Sequence, residues 1–315
     1  MVRAEEILNI FPGELRRRFS EAAKQAFDLQ EIRLSVRQPV RIILKGKEFF
    51  IDLNGKIEAK TEKAWFISEK EIEGILNYVC KSSLYAFEDE ISQGFITVSG
   101  GHRIGLAGQA VQNNDGKIRN LKHIRFLNIR ISHEIIGAAD RIVGYVFDKK
   151  CFNTLIIAPP GCGKTTMLRD LVRQVSNGLK DEGGLQVGIV DERSEIAGSF
   201  MGIPQNDVGI RTFVMDACPK VQGMMMLIRS MAPQVVAVDE IGNADDLKAI
   251  AQILLSGSKI LATIHGDSLN DLKKFETLSD YKMREMFERF IILHKKGGIC
   301  RIKEIHGQGG EVWYV

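Results

Sequence analysis

Residues 154–172, TLIIAPPGCGKTTMLRDLV, decide the fold. Thr154 to Ala158 is a short apolar and β-branched run that reads as a buried strand. A loop holding Gly161 and Gly163 follows, and Lys164-Thr165-Thr166 opens a helical pattern that Gly178 closes. Strand, glycine loop and helix in this order form a phosphate loop of the Walker A type. The two glycines permit main-chain conformations and close approaches that a Cβ would block. The segment Pro160, Gly161, Cys162, Gly163, Lys164, Thr165, Thr166 is therefore expected to wrap the phosphates of a nucleotide at the positive end of a helix. Lys164 is expected to reach the β and γ phosphates, and the Thr165 hydroxyl to ligate Mg²⁺. Ala158 stands where the motif has its first glycine, at a strand end where the change costs little.

Outward from the loop, strands alternate with helices: Leu185 to Val190, Val235 to Val238 and Lys259 to Thr263 against Cys218 to Met231 and Ala244 to Ser256. That alternation marks an α/β unit with a parallel sheet. Phe290 to His294, Cys300 to Ile305 and Glu311 to Tyr314 read as antiparallel strands added at one edge. The first 134 residues differ. A helical stretch at Ala4 to Phe27, broken at Pro12-Gly13, leads into the strands Glu31 to Val36, Val40 to Leu44 and Glu48 to Leu53. Ser68 to Glu90 returns to helical spacing through Ile72, Ile75, Leu76, Val79 and Leu84, and three strands follow at Gly94 to Val98, His102 to Val111 and Ile124 to Ile131. Asn113-Asn114-Asp115-Gly116 is a turn signal between the last two. The expected architecture is α/β: a RecA-like/AAA-type P-loop core with a parallel central sheet at 151–315, a smaller α+β domain at 1–134, and a linker helix at 135–150.

A magnesium site needs a second carboxylate, and QVVAVDEIG (234–242) supplies one at a strand end. Asp239 is expected to face the metal. Glu240, one residue on, can orient or deprotonate an attacking water. An isolated Asp-Glu pair is as often a helix cap, and the phosphate loop in the same chain tips the balance. Because Leu185 to Val190 lies between the two motifs, the phosphate-loop strand and the Asp239 strand are not expected to be neighbours. That strand ends in Asp191, Glu192, Arg193 and Glu195, so Glu192 competes with Glu240 for the water. Lys259 to Thr263 leads to His265, where a polar group could sense the γ-phosphate or the Asp239-Glu240 pair; a surface or capping role stands beside that reading. Among Arg103, Arg125, Arg130, Arg193, Arg211 and Arg229, Arg103 and Arg130 are the favoured donors of a guanidinium to a neighbouring subunit's transition state.

Composition narrows the class. With 43 Lys+Arg against 40 Asp+Glu, a net charge of +3, and 7% aromatic residues, the chain has neither a basic arm nor stacking platforms, and no nucleic-acid partner is expected. No stretch approaches the ~18 to 20 apolar residues of a spanning helix, and charges interrupt the first residues where a signal peptide needs an apolar run. A cytoplasmic protein is expected. Five widely spaced cysteines without a CxxC pair read as structural thiols, and six histidines without HExxH spacing offer no zinc motif.

Taken together, APPGCGKTT, IVDERSEI, LIRSMAPQVVAVDEIG and LATIHGDS resemble, in order and spacing, the Walker A, Asp box, Walker B and His box of the type II/type IV secretion ATPases. Within that group the chain is most similar to the branch found in endospore-forming bacteria. The likeness runs through GGHRIGLAG and LNIRIS, and so covers nearly the whole chain. The resemblance implies a Mg²⁺-dependent ATPase in the mother-cell cytoplasm, a homo-oligomer and most simply a hexameric ring. It also implies peripheral membrane association through membrane proteins of a sporulation channel complex, powering a secretion-like channel that faces the forespore. Lys164, Thr165, Asp239 and Glu240 match the Walker residues, Glu192 the Asp-box carboxylate, His265 the His box, and Arg103 and Arg130 the first-domain arginines. Secretion ATPases commonly carry Gly-Glu where this chain has Asp239-Glu240, and many carry a C-terminal module not seen here; a minimal, slow enzyme that depends on its partners is the expectation. A RecA-like nucleic-acid translocase and a nucleotide-regulated assembly scaffold are the alternatives.

Overall fold

Alternation along two short strands organises the half of the chain that carries the glycine loop. In Thr154–Ala158, Ile156 and Ala158 enter one apolar cluster while Leu155 and Ile157 enter another; in Val235–Val238, Val235 and Ala237 join the first and Val236 and Val238 the second. A strand buried on both faces reads as a continuous apolar run for this reason. The computed structural model describes residues 4–81, 87–113, 116, 118–179, 182–272, 283–296 and 299–314. It divides the chain into two units, 1–134 with 198–205, and 135–197 with 206–315.

The second unit holds an eight-stranded sheet in the order Thr212–Asp216, Val187–Asp191, Val235–Val238, Lys259–His265, Thr154–Ala158, Arg289–Lys296, Ile299–Gly307, Val312–Tyr314. The first six are parallel and the last two antiparallel. Helix Lys164–Asn177 packs Met167, Leu168, Leu171, Val172 and Val175 on one face of the sheet. Lys220–Met231 and Ala244–Leu255 cover the other face with Met224, Leu227, Leu247, Ile250 and Ile253. Each such side chain, fully buried, stabilises the fold by roughly 1.5–3 kcal/mol. Since the strands run parallel, Ala158, Asp191, Val238 and His265 all finish at one edge, with Ala158 registered against His265 and Val190 against Val238. Loops and side chains at such an edge form the ligand-binding rim of open α/β sheets.

The first unit is a seven-stranded antiparallel sheet, ordered Ile57–Glu58, Lys47–Ile51, Arg41–Leu44, Leu29–Ser35, Ile118–Arg130, His102–Gln112, Phe95–Val98. Lys45 and Gly46 both take positive φ, 49° and 75°, as a two-residue hairpin turn requires. Helix Glu69–Val79 starts at a reciprocal cap, with the Glu71 N–H donating to Ser68 Oγ and the Ser68 N–H to Glu71 Oε2, and it buries Ile72, Ile75, Leu76 and Val79. Phe11 and Phe19 stack at 3.8 Å, and Trp65 lies against Phe19.

Four sequence expectations need correction. The linker helix at 135–150 is reduced to Val143–Val146, because Gly137 turns the chain at φ +84° and the Ala139 N–H donates to the Asp170 carboxylate instead of to a helical carbonyl. The phosphate-loop and Asp239 strands are indeed not neighbours, but the strand between them is Lys259–His265, not the sequence-intervening Val187–Asp191. The first tail strand, Arg289–Lys296, lies parallel to Thr154–Ala158; only the next two are antiparallel. The strand expected from Ile124 begins at Ile118, where mostly exposed residues give no hydrophobic alternation and pairing with His102–Gln112 alone fixes the conformation. Leu84, Asn114 and Asp115 lie outside the described residues.

Candidate active site

At the rim, Gly161 and Gly163 both occupy the left-handed region, at φ 66° and 79°, and Gly163 is the N-cap of helix Lys164–Asn177. The first-turn N–H groups of this 14-residue helix have no intrahelical acceptor and carry partial positive charge. Buried Cys162 sits inside the loop with its Sγ 3.5 Å from that of Cys300, whose thiol burial pushes up to about 12; all five cysteines are unbonded.

Two strand ends supply the side chains that meet the loop. The Thr165 hydroxyl donates to Asp239 Oδ2 at 2.5 Å, and the Thr263 hydroxyl donates to Asp239 Oδ1. Thr263 Oγ1 also accepts the Glu240 N–H at 2.9 Å, so one hydroxyl ties two consecutive carboxylate residues to the neighbouring strand. Lys164 Nζ lies 2.9 Å from His265 Nδ1, and His265 Nε2 lies 2.9 Å from Glu240 Oε1. An ammonium can only donate, so Nδ1 accepts and Nε2 carries the proton given to Glu240: the arrangement selects one neutral tautomer. Burial lowers the Lys164 pKa, and the carboxylates of Asp239 and Glu240 oppose that shift. Glu240 itself sits at φ +56°, a strained backbone for a non-glycine residue, and its other oxygen is 3.3 Å from exposed Arg193.

The charged residues that end strand Val187–Asp191 do not act as one group. Asp191 is buried and accepts the N–H groups of Glu195, Ile196 and Ala197 at 2.8, 3.0 and 2.8 Å. Burial pushes its carboxyl up to about 6 against the pull of those three donors. Arg169, from the helix that follows the phosphate loop, donates to the carbonyls of Ile196 and Glu195. Glu192, half-exposed, pairs with Lys220 Nζ at 3.4 Å.

Lys164, Thr165, Asp239, Glu240 and His265 are thus brought together, with Pro160 and Thr166 in the same loop and helix start. Glu192 reaches the group through Lys220, which also donates to the Glu240 carbonyl at 2.5 Å. Arg103 and Arg130 belong to the first unit, where they are direct cross-strand partners; Arg103 lies 3.4 Å over the Phe95 ring and Arg130 is 3.9 Å from Glu31. Sequence reasoning missed Arg169 and Lys220. A signal for the second existed: Pro219-Lys220 opens a helix, and a cation at a helix N-terminus opposes the dipole unless acids surround it.

The fold recurs in solved structures. The ATPase DotB of Yersinia pseudotuberculosis aligns with a TM-score of 0.62 at 12% identity, over 95% of this chain and 81% of that one. The ADP-bound pilus retraction motor PilT aligns with a TM-score of 0.60 at 12% identity, over 90% and 81%. The fold is therefore the one that the ATPase DotB and the pilus motor PilT share. Within it, the chain belongs to the family of sporulation stage III protein AA, whose family model matches residues 1–313. It is 37% identical over 308 residues to stage III sporulation protein AA of Bacillus subtilis (strain 168), covering 98% of this chain and 96% of that one. Among the described residues no helix is long and apolar enough to cross a membrane.

Proposed function

We propose that the protein is a Mg²⁺-dependent ATPase that works as a hexameric ring on the mother-cell side of the membrane facing the forespore. There it powers assembly of, or transport through, a secretion-like channel built by membrane proteins that recruit it. The observation that carries the catalytic part is the convergence of Lys164, Thr165, Asp239, Glu240 and His265 on a glycine loop at a helix N-terminus. The donor set suits the cofactors. The left-handed glycines leave main-chain donors open to a phosphate chain, and the Thr165 hydroxyl beside the Asp239 carboxylate is an all-oxygen pair of the kind that holds Mg²⁺. When bound, the ion neutralises charge that develops on the γ-phosphoryl oxygens. Lys164 exchanges its His265 partner for the phosphates. Glu240, held by the His265 Nε2–H, orients the attacking water and takes its proton, while Glu192 stays bound to Lys220. Arg103 and Arg130, side by side on the first unit's sheet, are the guanidinium donors to a neighbouring subunit's site. Family membership supports the sporulation setting, and the fold of pilus and secretion ATPases supports the motor reading.

The test is a hydrolysis assay on the wild type and Glu240→Gln, with and without membrane partners, beside mass measurement in solution with ATP-Mg²⁺. Glu240→Gln is expected to bind ATP as the wild type does and to lose at least 100-fold in turnover, on the order of 3 kcal/mol of transition-state stabilisation. Equal steady-state rates for the two proteins would end the proposal.

A further inference from the structure

Beside the Asp239-Glu240 pair lies a second cation besides Lys164, the ammonium of Lys220. Lys220 opens helix Lys220–Met231, and its side chain is 13% exposed. Its Nζ donates to the main-chain carbonyl of Glu240 at 2.5 Å, lies 3.4 Å from Glu192 Oε2 and 3.8 Å from buried Asp246 Oδ2. Asp246 in turn accepts the Gly242 N–H at 2.9 Å. The peptide groups around Glu240 are therefore gripped from two sides: Thr263 takes the Glu240 N–H and, through its own carbonyl, the Ile241 N–H, while Lys220 takes the Glu240 carbonyl. Such over-determination is what a non-glycine residue at φ +56° requires, since an unsupported left-handed backbone relaxes. Glu192, Arg193, Lys220, Asp239 and Glu240 also line a cavity of about 20 Å³. That volume accepts a single water with several polar partners.

We propose that Lys220 is a positioning residue for hydrolysis: by holding the Glu240 carbonyl and the Glu192 carboxylate together, it locks Glu240 in its left-handed conformation and sets both acids around a water-sized cavity. The inference rests on the ATPase reading for its consequence and on the main-chain geometry for its cause. It explains why two carboxylates compete for the water position in the sequence yet are unequal in the fold. Glu192 is held by the part-buried ammonium of Lys220, whereas the Glu240 carboxylate has one oxygen beside the exposed Arg193 and the other on His265, next to the phosphate loop.

The test uses Lys220→Met, which keeps the length and removes the charge, and Lys220→Arg, which keeps the charge. Lys220→Met is expected to lower kcat at least tenfold while KM for ATP, the Kd for ADP and Tm stay close to wild type; Lys220→Arg is expected to recover part of kcat. In a crystal structure of Lys220→Met, Glu240 is expected at negative φ, with its carboxylate withdrawn from His265. A kcat within twofold of wild type, or a parallel loss of ADP affinity and Tm that marks mere unfolding of the rim, overturns the inference. Should the wild type prove to have no turnover, the ATPase reading fails while the crystal structure still judges Lys220: Glu240 unmoved in Lys220→Met would sink it.

Discussion

Asp191 is the residue whose environment departs furthest from its sequence reading. A carboxylate at a strand end beside a phosphate loop suggests a group aimed at ligand. Here it is turned inward and spent on three N–H donors of its own loop. Burial raises its folded-state pKa to about 6, above the ordinary carboxyl value of 3.8, so the native chain holds this proton over a range in which the unfolded chain has lost it. Stability from this group is therefore full below pH ~3.8 and falls as pH rises through 6, by about 3 kcal/mol in all. Urea titrations of the wild type and Asp191→Asn between pH 4 and 7 should show the difference moving in favour of the variant as pH rises; parallel curves would refute the assignment. The meeting of Lys164, Thr165, Asp239 and Glu240 was legible because Lys-Thr after a glycine loop and Asp-Glu after an apolar strand are local patterns. Lys220 and Arg169 were not, since each acts through the main chain of a loop distant in sequence, and nothing local announces a carbonyl as the target.

At the scale of elements, the parallel sheet was readable because strands buried on both faces must be runs of Val, Ile, Leu and Ala, and few other structures use such runs between helices. Edge and surface strands were harder. Thr212–Asp216 sits at the sheet margin with every residue half-buried, and the start of Ile118–Arg130 is held by pairing rather than by burial. That long hairpin depends on one glycine. The register shifts between Ala107 and Gln109, and a Cβ on Gly108 would meet the carbonyl oxygens of Lys122 and His123 at 2.7 and 2.8 Å, contacts that backbone cannot yield. Gly108→Ala is therefore expected to destabilise the first unit by roughly 1–3 kcal/mol, read as a lower unfolding midpoint. An unchanged midpoint would mean that the bulge is absent in solution.

For the whole molecule, the boundary near residue 134 was visible as a change of pattern, but the return of 198–205 to the first unit was not. That segment, GSFMGIPQ, has neither helical nor strand periodicity. Its membership comes from tertiary contacts: Gln205 accepts the Gly100 N–H at 2.9 Å, and Phe200 shares a cavity of about 280 Å³ with Ile10, Tyr78, Val79 and Val98. A fragment of residues 1–134 should accordingly be less stable than the same fragment with 198–205 appended through a flexible linker. Urea midpoints compare the two, and equal values would deny the segment its structural role.

The order of segments in the gene is consequently first unit, second unit, first unit, second unit. Neither unit is a continuous cassette. Recombination that exchanged the front half of this protein for that of a relative would strand eight residues with the wrong partner, so the two halves are expected to have been inherited and remodelled together.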